Sequence, residues 1–219
     1  MKDSKKLPWV LAACFCALFL LLLVLLLTVD VAPIAADGGN VGLSTLNDAV
    51  RNAIGVNPTL YKIAEWTGYL ALLLAAGFAL FGLVQLIRRR SLAKIDRELF
   101  VLAGLYIAAL ACYLFFEIFV VNVRPTAPEA SFPSSHTVLA ITFFGSGAML
   151  CRKYLQNRAL RVCAQILLIV LLFATTLCRF FSGVHWLTDV LGGVFLGLAL
   201  LSLFSAFLDR FSTKQETAE

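Results

Sequence analysis

The sequence predicts an all-α protein, a polytopic membrane helix bundle, and two properties of the chain carry this prediction. Of its 219 residues, 61% are hydrophobic and 14% are charged, whereas soluble domains average about 45–50% and about 25%. Apolar runs of about 20 residues, enough to cross a hydrocarbon layer of about 30 Å, recur along the chain. A single water-soluble globule is therefore excluded, and we treat residues 1–219 as one integral membrane domain.

About six apolar runs are candidate membrane spans, because charged residues or prolines bound each of them. The fourth run is short unless it begins within the preceding loop. The first run exceeds the roughly 7–15 apolar residues of a signal peptide, and no small-x-small cleavage site follows it, so we expect it to remain as a span. The six runs are Trp9–Val29, Trp66–Ile87, Leu99–Val121, Thr137–Cys151, Val162–Cys178 and Trp186–Leu208.

The basic residues predict the orientation of the bundle, because Lys and Arg accumulate on the cytoplasmic side of a membrane. With six spans, 14 of the 18 basic residues fall on the side that holds both termini. We therefore expect both termini in the cytoplasm, and we attribute the net charge of +5 to membrane insertion and not to nucleic-acid binding. The four basic residues on the opposite, outer side are Arg51, Lys62, Arg124 and Arg179.

The first outer loop, Asp30–Glu65, begins irregularly and then shows one apolar stripe at helical spacing. Thr45 and Asp48 have the spacing of a capping box. We expect a short interfacial helix here, lying flat at the outer membrane surface or packed on the bundle as an ordinary loop helix. The stripe comprises Leu43, Leu46, Val50 and Ile54.

The cysteines lie within apolar runs or at their ends, where an oxidising compartment has no access to them. We expect small apolar packing residues and no disulfide framework. No carboxylate or histidine stands near enough to the first two to complete a metal site, and we expect no metal or other cofactor. The six residues are Cys14, Cys16, Cys112, Cys151, Cys163 and Cys178.

His185 and Asp189 stand four residues apart where the sixth apolar run begins, which places them on one helix face. Such a carboxylate can fix the imidazole tautomer and leave the other ring nitrogen as a nucleophile or base. An ionisable residue at the edge of hydrocarbon is also costly, which indicates a function. Because an incidental surface pair has the same spacing, this dyad alone does not predict an enzyme.

Pro133-Ser134-Ser135-His136 directly precedes the fourth run. Ser134 can cap the helix, and the free amides of the first turn can hold an anion. His136 would then be a proton donor beside that anion. A serine-capped helix without any ligand is the simpler alternative.

Arg124 and Arg179 each lie in an outer loop beside one of the two histidines. A guanidinium binds phosphate oxygens through paired N–H groups, although an arginine near a membrane also simply extends toward lipid headgroups. Two arginines, two histidines, one aspartate and one serine thus gather at one face of an otherwise apolar chain. This combination predicts a site that handles phosphate.

These motifs resemble those of the type 2 phosphatidic acid phosphatase superfamily, relatives of the vanadium haloperoxidases. That pattern is Lys-x6-Arg-Pro, then Pro-Ser-Gly-His, then Ser-Arg-x5-His-x3-Asp. Arg124-Pro125 matches the end of the first element, and the spacing is kept through spans three to six. Ser135 occupies the glycine position of the second element, and Cys178 occupies the serine position of the third.

The resemblance implies a role for each matched residue and implies no metal. His185 would attack phosphorus and form a phosphohistidine, with Asp189 orienting it. His136 would protonate the leaving oxygen and then activate water. The phosphate oxygens would be held by Arg124, Arg179, Ser134 and the amides around Ser135.

Glu117 stands seven residues before Arg124, where the family pattern has lysine. A carboxylate there weakens oxyanion binding by itself. Because seven residues are two helical turns, it would share a face with Arg124 and orient either arginine. The other two interpretations are that Glu117 contacts a cationic headgroup and that the site has lost its activity. We expect an active enzyme, because the remaining site positions are kept.

Together these observations and the resemblance predict an integral membrane lipid phosphatase whose site, within residues 117–189, faces the extracytoplasmic side. A long-chain lipid would reach such a site from the bilayer. By the resemblance, undecaprenyl diphosphate ranks first as substrate, followed by phosphatidylglycerol phosphate or phosphatidic acid. The alternatives are a lipid phosphotransferase and a non-catalytic membrane protein that binds a lipid phosphate.

Overall fold

The computed structural model describes residues 6–216, with side chains over residues 6–210. Within this range the regular structure is helical apart from two isolated antiparallel bridges, which confirms the all-α prediction. Lys2, Lys5 and the side chain of Lys214, which enter the orientation prediction, lie outside the described residues. The α-helices are α1 (Leu7–Thr28), α2 (Ser44–Ile54), α3 (Pro58–Arg89), α4 (Arg97–Ile118), α5 (Ser135–Leu139), α6 (Gly145–Tyr154), α7 (Arg158–Phe181) and α8 (Leu187–Glu216).

Among residues 6–216, five helices are long and apolar enough to cross a membrane, and they coincide with five of the six predicted runs. Many of their large apolar side chains remain exposed, including Leu73, Ile107 and Phe173. Outward-facing apolar residues are expected where lipid replaces water around a helix bundle. The five spans are Leu7–Thr28, Pro58–Arg89, Arg97–Ile118, Arg158–Phe181 and Leu187–Arg210.

The fourth predicted run, Thr137–Cys151, is the one that differs. Its residues are helical, but a π-helical turn at Ala140–Phe144 separates α5 from α6, so neither segment by itself has the length of a membrane span. All five residues of the turn are buried, and α3, α6, α7 and α8 pack around it. This segment is therefore buried within the bundle, and in the part of the chain that the structure describes five helices instead of six meet the requirements for a span.

Helix α2 confirms the predicted short helix between the first two spans, but it begins differently from the prediction. Thr45 and Asp48 form no capping box; Leu43, with φ 49°, is the residue before the helix. The Asp30 carboxylate accepts hydrogen bonds from the Thr45 amide at 2.7 Å and the Ser44 hydroxyl at 2.9 Å. A partner from an earlier loop thus satisfies the first amides of α2.

Helix α2 is packed on the start of α8 through a buried amide side chain. The Asn47 Nδ2 atom donates to the Thr188 Oγ1 atom at 3.0 Å, and its Oδ1 accepts from the Thr188 amide at 3.2 Å. Helix α1 packs along the same α8, with the rings of Trp9 and Phe207 5.3 Å apart and edge to face. Helices α1 and α2 therefore both pack against α8.

Candidate active site

His185 lies in the turn between α7 and α8, and a carboxylate that is itself fixed from two sides lies beside it. The His185 Nδ1 atom is 3.5 Å from the Asp189 Oδ2 atom, and both side chains are buried. Asp189 Oδ2 accepts from the Trp186 amide at 3.0 Å, and Oδ1 accepts from Asn122 Nδ2 at 3.0 Å. The turn itself needs Gly183, whose φ of 68° is left-handed.

The environment of His185 favours the neutral imidazole. Burial is the largest influence and lowers the pKa of His185, and the charges of Arg179 and Arg124 act in the same direction. The neighbouring carboxylate of Asp189 acts against them and raises this pKa, although the 3.5 Å between Nδ1 and Oδ2 is too long for Nδ1 to form a hydrogen bond. Because Nε2 has no hydrogen-bond partner among the described residues, a neutral His185 can present it as a nucleophile.

The segment that carries the second histidine is joined to the dyad through the backbone. The Ser134 amide donates to the Asp189 carbonyl oxygen at 2.9 Å, and His136 follows in the first turn of α5. The expected hydroxyl cap by Ser134 does not form; its buried Oγ accepts from Thr137 Oγ1 at 3.1 Å. Ser135 and His136 line the cavity that also reaches His185.

Both predicted arginines place N–H groups in the protein interior without partners. Arg179, in the last turn of α7, is 1% exposed, and its guanidinium carbon lies 4.9 Å from the centre of the Tyr61 ring. Neither its Nε nor its NH1 atom has a hydrogen-bond partner among the described residues. Arg124 NH1 pairs with Glu129 Oε2 at 3.1 Å, while its buried Nε is unpaired. Unpaired buried donors of this kind are suited to an anionic ligand.

A cavity of about 720 Å³ connects Arg124 and the two histidines to an apolar passage, whereas Arg179 and Ser134 are not among the residues that line it. Arg124, His136 and His185 line one part of it, and side chains of α3 and α4 such as Leu72 and Phe116 line the rest. Helices α3 and α4 make little contact with each other. The arrangement therefore offers a polar region for phosphate and an apolar passage between two spanning helices.

Comparison with known proteins agrees with this geometry. Residues 114–212, which contain every matched motif, fit the model of the PAP2 superfamily. This part of the chain belongs to the PAP2 superfamily. The resemblance drawn from the motifs is thereby confirmed over residues 114–212, and the long apolar helices make the chain a multi-pass membrane protein. No curated protein sequence matches the chain.

A solved structure extends the likeness beyond the PAP2 region. It is described as the crystal structure of the first transmembrane PAP2 type phosphatidylglycerolphosphate phosphatase from Bacillus subtilis. The match has a TM-score of 0.66 at 19% sequence identity and covers 91% of this chain and 96% of the other. At that identity the two proteins share a fold, which includes the helices before residue 114.

Glu117, at the position of the PAP2 lysine, lines the cavity together with Arg124 and His136. Helix α4 ends at Ile118, so Arg124 lies in the following loop. The expectation that the two residues share a helix face is therefore wrong. The ion pair that Arg124 forms is with Glu129, and the Glu117 side chain is exposed.

Three residues around the PAP2 motifs were missed by sequence reasoning: Asn122, Tyr61 and Glu129. Asn122 binds Asp189, Tyr61 lies beneath the Arg179 guanidinium, and Glu129 pairs with Arg124. The one usable signal was a polar side chain directly after an apolar run, which applies to Asn122. Among the described residues, no group of three or more His, Cys, Asp or Glu side chains is placed to hold a metal ion.

Proposed function

We propose that the protein is an integral membrane lipid phosphatase that hydrolyses a phosphate or diphosphate monoester through a phosphohistidine. The observation that carries this proposal is one cavity that combines His185, His136 and Arg124 with apolar walls from two spanning helices. Asp189 adjoins His185, and Arg179 contributes unpaired donors in its vicinity. A nucleophile, a second imidazole and two guanidiniums are the groups that metal-independent phosphoryl transfer requires.

The reaction proceeds in two displacements. His185 Nε2 attacks phosphorus while the bond to the leaving oxygen breaks. Burial and the neighbouring cations lower the pKa of His136 to about 3, so the proton that His136 gives to the leaving oxygen is one that the bound phosphate brings as its monoanion. His136 then takes a proton from water, whose oxygen attacks the phosphohistidine and releases inorganic phosphate. Asp189 stabilises the positive charge on His185, and the two arginines stabilise the charge on the transferring group.

The apolar passage favours a lipid as the substrate. A chain lying between α3 and α4 would bring a headgroup phosphate to the histidines from within the bilayer. We rank undecaprenyl diphosphate first, since an extracytoplasmic site suits recycling of that carrier. Phosphatidylglycerol phosphate follows, supported by the description of the Bacillus subtilis structure, together with phosphatidic acid.

The test is phosphate release from these three lipids by purified protein in mild detergent with excess chelator. We expect at least one lipid to be hydrolysed in chelator and His185→Ala to lower the rate by about 10³-fold or more. Asn52→Ala, an exposed change on α2, is the control and should leave the rate unchanged. Absence of release from all three lipids would contradict the proposal and favour a binding protein.

Product analysis with ³²P-labelled lipid separates hydrolysis from transfer. Hydrolysis yields labelled inorganic phosphate as the product. A labelled lipid or sugar that appears only when an acceptor is present would instead identify a phosphotransferase that uses the same His185 intermediate.

A further inference from the structure

Asn122 occupies a buried position between two motifs of the site. It lies after α4 and two residues before Arg124, and its side chain is 1% exposed. Its Nδ2 atom donates to Asp189 Oδ1 at 3.0 Å, whereas its Oδ1 atom has no hydrogen-bond partner among the described residues. The orientation of this amide is thus set by its contact with the carboxylate.

The backbone around Asn122 is fixed relative to the histidine turn. Its carbonyl oxygen accepts from the Ser131 amide at 2.9 Å, beside the antiparallel bridge of Val123 with Ala130. The Val123 carbonyl oxygen accepts from Trp186 Nε1 at 2.7 Å, one residue after His185. Asn122 therefore cannot shift without disturbing the contact between the Arg124 loop and the start of α8.

We propose that Asn122 is a positioning residue for the reaction: it holds the Asp189 carboxylate so that His185 presents Nε2 to phosphorus. The inference rests on the proposed function for its catalytic meaning. Asp189 Oδ2 is already taken by the Trp186 amide and faces His185. Without Asn122, Asp189 Oδ1 would be a buried charged acceptor with no donor. The carboxylate would then rotate, or carry more of its negative charge on the oxygen that faces His185.

The charges around His185 determine what loss of this hydrogen bond does to its protonation. Donation from Asn122 spreads part of the carboxylate charge, so its removal leaves more negative charge facing the imidazole and favours the imidazolium. The other facing groups are cationic or neutral and are unchanged by the substitution. The titratable and charged groups that face His185 are Asp189 from α8, Arg179 from α7, Arg124 from the loop after α4 and His136 from α5.

Asn47 provides a matched control for Asn122. It is also a buried asparagine whose amide binds the first turn of α8, but its partner there is Thr188. Asn47→Ala removes the same kind of side chain from the same helix end without removing a donor from Asp189. Any general effect of loosening α8 should appear equally in the two variants.

The kinetic test uses dioctanoyl phosphatidic acid in detergent micelles, with kcat and KM measured for native protein, Asn122→Ala and Asn47→Ala. We expect Asn122→Ala to lower kcat by about 10- to 100-fold, the factor for one hydrogen bond to a charged acceptor, with KM within about threefold. Asn47→Ala should keep both values within about threefold of native. Equal losses of kcat in both variants would overturn the inference.

A conservative variant separates hydrogen bonding from packing. In Asn122→Asp the new carboxyl can donate to Asp189 only while the two acids share a proton. We expect kcat near the native value at about pH 5 and a loss of about tenfold or more by pH 8, relative to native protein at each pH. Activity as low as that of Asn122→Ala at every pH would contradict the inference.

A second measurement needs no turnover. Labelling with ¹³C-histidine gives two ring signals, because the chain has two histidines, and the signal absent from His185→Ala identifies His185. We expect the His185 titration midpoint to rise by about one pH unit in Asn122→Ala and to stay unchanged in Asn47→Ala. An unchanged midpoint in Asn122→Ala overturns the inference. If native protein hydrolyses no lipid but the midpoint shifts, the proposed function fails while the positioning of His185 by Asn122 stands.

Discussion

At the scale of single residues, the position of the His136 imidazole depends on a neighbouring glycine, which has no side chain. Gly68 of α3 lies against His136, where an added Cβ atom would be 2.8 Å from Cδ2 and 3.3 Å from Nε2. Real Cβ atoms do not approach so closely, so any larger residue must displace the imidazole. The position of His136 therefore depends on a residue that carries no chemistry of its own.

We predict that Gly68→Ala lowers kcat for the fastest lipid substrate by about 10²-fold, because a displacement near 1 Å costs about that factor. Gly77→Ala is the control, since it lies in the same helix and its added Cβ would meet nothing within 4 Å. Both changes raise helix propensity equally. Equal activity of the two variants, measured as phosphate release, would show that His136 needs no such space.

Glu117 supports a second prediction at this scale. Its carboxylate shares a cavity with Arg124 and opposes the binding of an anion there. We predict that Glu117→Lys raises kcat/KM for diphosphate lipids by about three- to tenfold, a small factor because solvent screens an exposed charge. The kcat/KM of Glu117→Gln should fall between those of native protein and Glu117→Lys. If Glu117→Lys abolishes turnover instead, Glu117 belongs to the working residues of the site.

Whether a site residue could be predicted from the sequence depended on the chemistry of its side chain. His185, His136 and Arg179 stood out because charged or titratable groups beside apolar runs are costly. Asn122 and Tyr61 did not, because an amide or a phenol at the end of a span is ordinary and only the folded contacts show its partner. The hydroxyl cap of Ser134 was also predicted wrongly, since its Oγ accepts a hydrogen bond from the Thr137 hydroxyl and none from an amide of the first turn.

At the scale of elements, apolar length located the spans but not their full extent. Helix α3 begins at Pro58, eight residues before the predicted run, because Asn57 accepts hydrogen bonds from the Thr59 and Leu60 amides at 3.1 Å each. A capped polar turn can thus extend a helix beyond its apolar run. The π turn in the fourth run was equally invisible, since four of its five residues are apolar and helices α3, α7 and α8, which pack around it, are distant in sequence.

The contact between α8 and α5 leaves no room for a side chain at Gly193. A Cβ atom on Gly193 would lie 2.8 Å from the Ser134 carbonyl oxygen and 2.8 Å from Thr137 Cβ. Gly193→Ala should therefore destabilise the protein by about 1–3 kcal/mol through overpacking. Gly104→Ala in α4, where an added Cβ meets nothing within 4 Å, should not. The midpoint of thermal unfolding in detergent is measured for both variants. Identical midpoints would mean that the α5–α8 contact accommodates the added methyl group without loss of stability.

At the scale of the whole molecule, the distribution of basic residues predicts that the loop before α2 and the loop after α3 lie on opposite sides of the membrane. In a chain whose native cysteines are replaced by alanine, we predict that a membrane-impermeant maleimide labels Asp37→Cys in intact cells. It should label Ala93→Cys only after the cells are opened. Both positions are exposed, so the reverse pattern would place the site toward the cytoplasm and contradict the predicted orientation.

The pairing of α1 with α8 has a consequence for the order of synthesis. The ribosome makes α1 before α8, yet the two pack together along the bundle. Asp189 arrives with α8, and so does the carbonyl oxygen that receives the Ser134 amide. Until α8 is inserted, α1 packs only on residues such as Phe116 and Phe132, and the histidines have no carboxylate beside them. A chain that lacks α8 therefore cannot assemble the proposed site, because it lacks Asp189 and the backbone contact that holds Ser134.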